Sequence, residues 1–364
     1  MKLNALNRRR WENFRANKRA YWSLWIFSIL FLICLFADIV ANDRPLAIRY
    51  QGDWSFPALN GKLYEENEFG GDPGFVVAFK DPWIECLVVT SGDTGCYDDW
   101  EPLIVAATSA GGAGIYIKAP IPYAFNTIND DGTPALDPPS AKHLLGTDDQ
   151  TRDVLARVIY GFRISVLFAG IVVFFSSVLG IAAGAVQGFF GGLLDLIFQR
   201  VIEIWQATPA LYVIIIMGAI FTMNFVLLTF LIVLFSWTAL VGVVRAEFLR
   251  TRNFEYVRAA RALGVSNTTI MFRHMLPNAM VATVTLLPFL ITNALGTLTG
   301  LDFLGFGLPP SYPSLGELAL QGKNNLQSPH LAITAFVTLT LILSLLVFIF
   351  EGVRDAFDPR KTFQ

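Results

Sequence analysis

A chain of 364 residues with 54% hydrophobic and 15% charged side chains gathers its apolar residues in blocks instead of spreading them at the spacing of a soluble core, which argues for a membrane protein. A net charge of -2 gives no general attraction for nucleic acid. Three histidines, His143, His274 and His330, lie far apart with no cysteine or carboxylate at ligand spacing, so no metal site is expected.

In chain order, Lys2, Arg8, Arg9, Arg10, Arg15, Lys18 and Arg19, against the single acid Glu12, precede the first apolar block at 23–40 and predict a cytoplasmic N-terminus. The block is too long for a signal-peptide core, and FADIVANDR is a poor cleavage site, so it reads as a retained first helix in which Cys34 is a packing residue. The segment 41–163 carries eighteen acids and nine bases among Pro, Gly, Asn and Asp clusters, which predicts an acidic, loop-rich extracytoplasmic insertion. Within it, 103–117 (LIVAATSAGGAGIYI) is expected to be buried strand and turn in preference to a further span. Cys86 and Cys96, ten positions apart, are candidates for a disulfide in an oxidising periplasm, the alternative being two buried free thiols. Near its end, Thr147 and Gln150 fit a capping box, and Arg152 and Asp153 begin an amphipathic helix. Arg152, Arg157 and Arg163 then stand on the outer side, against the charge rule, as long translocated segments allow.

Five further blocks follow at 164–187, 201–222, 225–244, 279–300 and 331–350, giving six spans and a cytoplasmic tail that bears Arg354, Arg360 and Lys361. Gly180, Gly184 and Gly188 make a small-residue face for close helix approach. Glu203 and Pro209 interrupt the third span. Asp195, Arg200 and Glu203 at its cytoplasmic start form either a gate or, the favoured reading, a structural ion pair. Met223 and Asn224 leave room only for a tight hairpin into the fourth span. Thr292, Asn293, Thr297 and Thr299 on the fifth either line a polar path or bond to their own helix.

Between spans four and five, 245–278 carries Arg245, Arg250, Arg252, Arg258, Arg261 and Arg273; at about 3 kcal/mol each at mid-membrane, it does not cross. It is still expected to be helical. Val257, Ala260 and Gly264 share a face, Arg258 and Arg261 another; Gly264 suits a C-terminal cap, Ser266 an N-cap, and Pro277 a kink or end before span five. An interfacial helix on anionic lipid would explain the arginines, but not Ala259, Ala260 and Gly264, which suit close contact with another protein. No P-loop is present, QGKN at 321–324 lacking its first glycine and hydroxyl, and there is no Gly-x-Ser-x-Gly or His-Glu-x-x-His pattern. The chain therefore reads as a non-enzyme with no cofactor of its own.

The run Arg258-Ala259-Ala260, then Gly264, then Leu276-Pro277 resembles the EAA loop of ABC-importer permeases, with Arg258 where the family has glutamate. HLLGTDDQTRDVLARVIYGFRIS at 143–165, LDFLGFGLPPSYPSLGELA at 301–319 and EGVRDAFDPRK at 351–361 resemble the C-type permeases of dipeptide and oligopeptide importers. The basic N-terminus and long insertion look like the Yej-type branch, associated with oligopeptide and microcin C uptake. The resemblance implies an all-α polytopic fold of type I importer architecture in the bacterial inner membrane. It also implies a second homologous permease, ABC ATPase subunits that use ATP, a periplasmic peptide-binding protein, and a coupling role for 258–277. Two rivals stand beside it: an independent secondary transporter or channel, which predicts inverted repeats or broken helices at the midplane, and a non-transporting envelope assembly protein.

Overall fold

The computed structural model describes residues 5–109, 114–129 and 132–357. Lys2, Arg360 and Lys361 of the charge pattern, and 110–113 of the apolar insertion stretch, lie outside the described residues. The chain divides into two compact units, one of residues 1–30, 164–320 and 335–364, the other of 31–163 and 321–334.

Among the described residues, five helices are long and apolar enough to cross a membrane: Lys18–Leu35, Val154–Phe190, Phe225–Thr251, Asn267–Phe303 and Pro329–Phe357. A sixth crossing is made if the pair Gly192–Ala207 and Ala210–Ile220, bent by 65°, counts as one. The bend follows from Pro209, which pushes Thr208 out of the helical region to φ -76°, ψ 119°. The expected third span is thus two helices, the first starting well before residue 201. Asn224 then caps Phe225–Ser236 by accepting from the Leu227 N–H at 2.9 Å, which allows the tight turn between the hairpin's arms.

In the first unit, helix Val154–Phe190 packs against Thr238–Thr251 through its glycine face. A Cβ at Gly184 would lie 2.7 Å from the Val241 carbonyl and 2.9 Å from the Val244 Cβ. At Gly188 it would lie 2.5 Å from the Phe248 Cβ. Only residues without a side chain permit this backbone approach. Helix Leu276–Phe303 ends beside the buried Asp302, whose carboxylate accepts from the Leu308 N–H at 2.7 Å and from the Ser314 hydroxyl. One carboxylate thus ties down the loop that carries the 301–319 signature.

The second unit holds a three-stranded antiparallel sheet in which Ala47–Tyr50 lies between Asp53–Ser55 and Ile115–Ile117. Ile48, Phe69, Ile84, Leu87 and Val88 form its core, and the Cys86 and Cys96 sulfurs are bonded to each other within it. The expectation of buried strand across 103–117 is corrected. Residues 103–109 belong to helix Trp100–Ser109, which has no fully buried residue, and among the described residues of the stretch strand is confined to Ile115–Ile117.

The capping expectation is also corrected. Asp153, not Thr147, caps Val154–Phe190, its Oδ1 accepting from the Ala156 N–H at 2.7 Å while Oδ2 meets the buried His143 Nδ1 at 2.9 Å. Thr147 instead donates to the Pro134 carbonyl. Asp148, fully buried, accepts from Arg152 Nε at 2.7 Å and from two backbone N–H groups. Arg157, also buried, lies 3.5 Å away. This knot compensates buried charge with buried charge, and the helix that starts here runs on through residue 163 as the second membrane helix.

Candidate docking surface

Thr238–Thr251 continues the fourth span well past residue 244, and Glu255–Ala262 turns off it as a separate short helix. That helix ends in a Schellman motif: the Gly264 N–H donates to Arg261 O at 3.0 Å and the Val265 N–H to Ala260 O at 3.1 Å. The motif needs a left-handed residue, and Gly264 supplies φ 73°. Ser266 then caps Asn267–Thr269, its hydroxyl accepting from the Thr269 N–H.

Residues Ile270–Met275 form a π turn. Ile270 and Met275 would face about 140° apart on an α-helix, yet both are fully buried, because the wider turn brings positions five apart onto one side. Pro277 offers no N–H to the Arg273 carbonyl, and the wide turn lies just ahead of this gap. The expected stop or kink at Pro277 is therefore replaced by passage into Leu276–Phe303, with the proline in its first turn and Asn267–Phe303 reading as one span.

The loop has an inward base and an outward face. Val257, Ile270 and Met275 pack with Phe189, Val244, Phe248 and Ala279 in one cluster, with Ala260, Val265 and Leu276 against it. Outward lie Arg258, Ala259, Gly264 and Pro277. The small face is thus divided: Ala259 is exposed, Ala260 is half-buried against its own chain, and nothing lies within 4 Å of a Cβ built at Gly264. Arg261 lies over the Phe189 ring at 5.1 Å, so it anchors the helix as well as charging it. Two outward residues escape a reading based on small side chains. Leu263 is 83% exposed and Phe272 68%. Their sequence signal was slight: Leu263 directly before the glycine turn, and Phe272 at the end of the apolar run Ile270-Met271-Phe272, beside Arg273.

Asp195, Arg200 and Glu203 do not form one group. Asp195 takes a bidentate bond from Arg245, Nε and NH2 at 2.5 and 2.6 Å, joining helix Gly192–Ala207 to Thr238–Thr251. Arg200 and Glu203 pair separately at 2.5 Å with both side chains exposed. Of the fifth-span polar residues, Thr292 donates to the Pro288 carbonyl of its own helix, while Thr292 and Asn293 also line a 680 Å³ cavity with Glu351 and Arg354.

Residues 158–363 match the family model described as binding-protein-dependent transport system inner membrane component, and 6–55 match the N-terminal TM domain of oligopeptide transport permease C. The inner membrane ABC transporter permease protein YejE of Escherichia coli is 51% identical over 360 residues, 99% of each chain. The peptidoglycan transport system permease protein YejE of Agrobacterium fabrum is 49% identical, over 98% of this chain and 94% of that one. The dipeptide transport system permease protein DppC of Haemophilus influenzae is 34% identical over 68% of this chain and 86% of its own. A domain match over more than half the chain, and a relative this similar from end to end, make the chain a member of the binding-protein-dependent transport family: a mostly helical, multi-pass inner-membrane permease of an ABC importer, a non-catalytic subunit.

Proposed function

We propose that this chain is one permease of an ATP-driven importer of peptides, including microcin-C-like peptides. Both termini are cytoplasmic, a second related permease completes the path, a binding protein delivers peptide from outside, and separate ATPase subunits supply the motion. The observation that carries this is the loop Glu255–Met275, whose exposed apolar tips, Leu263 and Phe272, stand on a packed base. Exposed apolar side chains flanked by arginines fit a protein groove better than water. The base joins Val154–Phe190, Thr238–Thr251 and Leu276–Phe303 in one cluster, and close-packed side chains transmit a push instead of absorbing it. ATP then biases two arrangements of the subunits, and this chain needs no nucleotide site or other cofactor.

A secondary transporter would carry discontinuous helices in corresponding positions of two repeated halves. Among the described residues one helix pair is broken in this way, Gly192–Ala207 with Ala210–Ile220, and no second broken pair stands in a corresponding position.

The test is co-purification with the ATPase and transport-coupled ATP hydrolysis in vesicles. Leu263→Asp is expected to cut both by at least about tenfold while the fold is kept, since a charge replaces a side chain that touches little of its own chain. Gly264→Val, which also strains a left-handed position, is expected to do the same. Undiminished assembly in both variants, or uptake without any ATPase, overturns the reading.

A further inference from the structure

We infer that a groove in the first unit, between the N-terminal helix Ala5–Ala16 and the end of Pro329–Phe357, is a binding site for one anionic phospholipid. An acyl chain lies along its floor and the phosphate meets Arg10 of the N-terminal helix. The groove has a volume of about 360 Å³ and is lined by Trp11, Phe14, Leu24, Ile349, Val353 and their neighbours, Arg10 being the one charged residue among the described lining.

It is a built feature. Phe14, Ala20 and Ala356 are buried together beside it. A Cβ at Gly352 would lie 3.0 Å from the Phe14 ring, so the tail helix approaches through a residue with no side chain. Arg10 is held with its Cζ 4.3 Å from the centre of the Phe357 ring. Stacking uses the face of a guanidinium and leaves its in-plane N–H groups the fork geometry that suits phosphate oxygens.

Charge selects the headgroup. Residues 8–19 hold six bases and one acid, Glu12, which Arg8 already pairs at 2.9 Å. On the tail side, Asp355 lies 3.9 Å from Arg354, and Glu351 is exposed. Trp11, Trp22 and Trp25 are exposed aromatic side chains of the kind that sit at headgroup depth. An apolar slot topped by cations, at the level where tryptophans meet the headgroups, matches a lipid with a negative phosphate and no compensating choline.

The test uses the full chain purified in detergent and reads Trp11 by the difference in fluorescence between wild type and Trp11→Phe. Phosphatidylglycerol and phosphatidylcholine with brominated chains are the two probes, bromine quenching tryptophan on contact. The expected result is Trp11 quenching at several-fold lower phosphatidylglycerol than phosphatidylcholine, a preference that 0.5 M salt reduces. Arg10→Gln is expected to weaken phosphatidylglycerol binding by about fivefold. Val353→Phe, filling the groove with every arginine in place, is expected to abolish the Trp11-specific signal. Equal quenching by both lipids overturns the proposal by showing a surface wetted by any acyl chain. Absence of Trp11 quenching by either overturns it by showing a slot closed to lipid. The headgroup and salt comparisons need no variant in the groove except the Trp11 reference, so a misfolded arginine mutant does not leave the question open.

Discussion

Asp195 shows how a charge on an apolar helix is accommodated. Its side chain is 11% exposed and that of Arg245 29%, with both carboxylate oxygens bonded. Removing one partner leaves the other desolvated without compensation. Asp195→Asn is accordingly expected to cost about 2–4 kcal/mol, measured by thermal unfolding in detergent, and the exchange Asp195→Arg with Arg245→Asp to recover part of it. Arg200→Gln, which breaks a pair whose side chains are 74% and 55% exposed, is expected to cost no more than about 1 kcal/mol. Sequence spacing exposed the Arg200–Glu203 pair because both residues lie on one turn. It hid Arg245, fifty positions away from Asp195. The same limit separates Ala259 from Ala260: composition marks both as small, and which one faces its own chain depends on where Val257 finds its buried partners.

Elements were legible where local chemistry dictates them. Gly264, Ser266 and Pro209 act through their own backbones or side chains, and the cap, the next start and the break follow. Residues 103–109 were not legible as helix, because an apolar stretch of that length suits either element and the choice rests with tertiary contacts. Thr147 matched a cap pattern, but Asp153 sits at the actual N-cap and binds His143 as well. The glycine face is a local pattern with a long-range consequence. Gly184→Leu forces apart helices whose backbones are in contact, and is expected to lower the unfolding temperature by several degrees and reduce yield; Gly242→Ala, with nothing within 4 Å of its Cβ, is expected to be nearly neutral. In the second unit, the bond between Cys86 and Cys96 closes a short loop inside the core. Cys86→Ser with Cys96→Ser is expected to cost about 2–3 kcal/mol of that unit's stability, read as greater protease sensitivity in the insertion.

Over the whole molecule, the coupling role proposed above requires two separable properties: something to grip, and something rigid behind it. Leu263 belongs to the first, since it touches little of its own chain, and Val257 to the second, being fully buried in the cluster that joins three membrane helices to the loop. If the loop acts as a lever, the two failures differ in kind. Leu263→Asp removes assembly with the ATPase. Val257→Ala leaves the outward face intact but opens a cavity at the hinge of the lever, costing about 1–3 kcal/mol of stability. The ATPase then still binds and still hydrolyses ATP, but part of each stroke is lost in the softened base. The measurement is the ratio of ATP hydrolysed to peptide imported by the complete assembly in sealed vesicles. That ratio is expected to rise at least about twofold for Val257→Ala with co-purification unchanged. A ratio equal to that of the unaltered protein would mean that motion passes from the loop to the membrane helices by a route other than this cluster. The backbone continuity of Asn267–Phe303 would be the next connection to test.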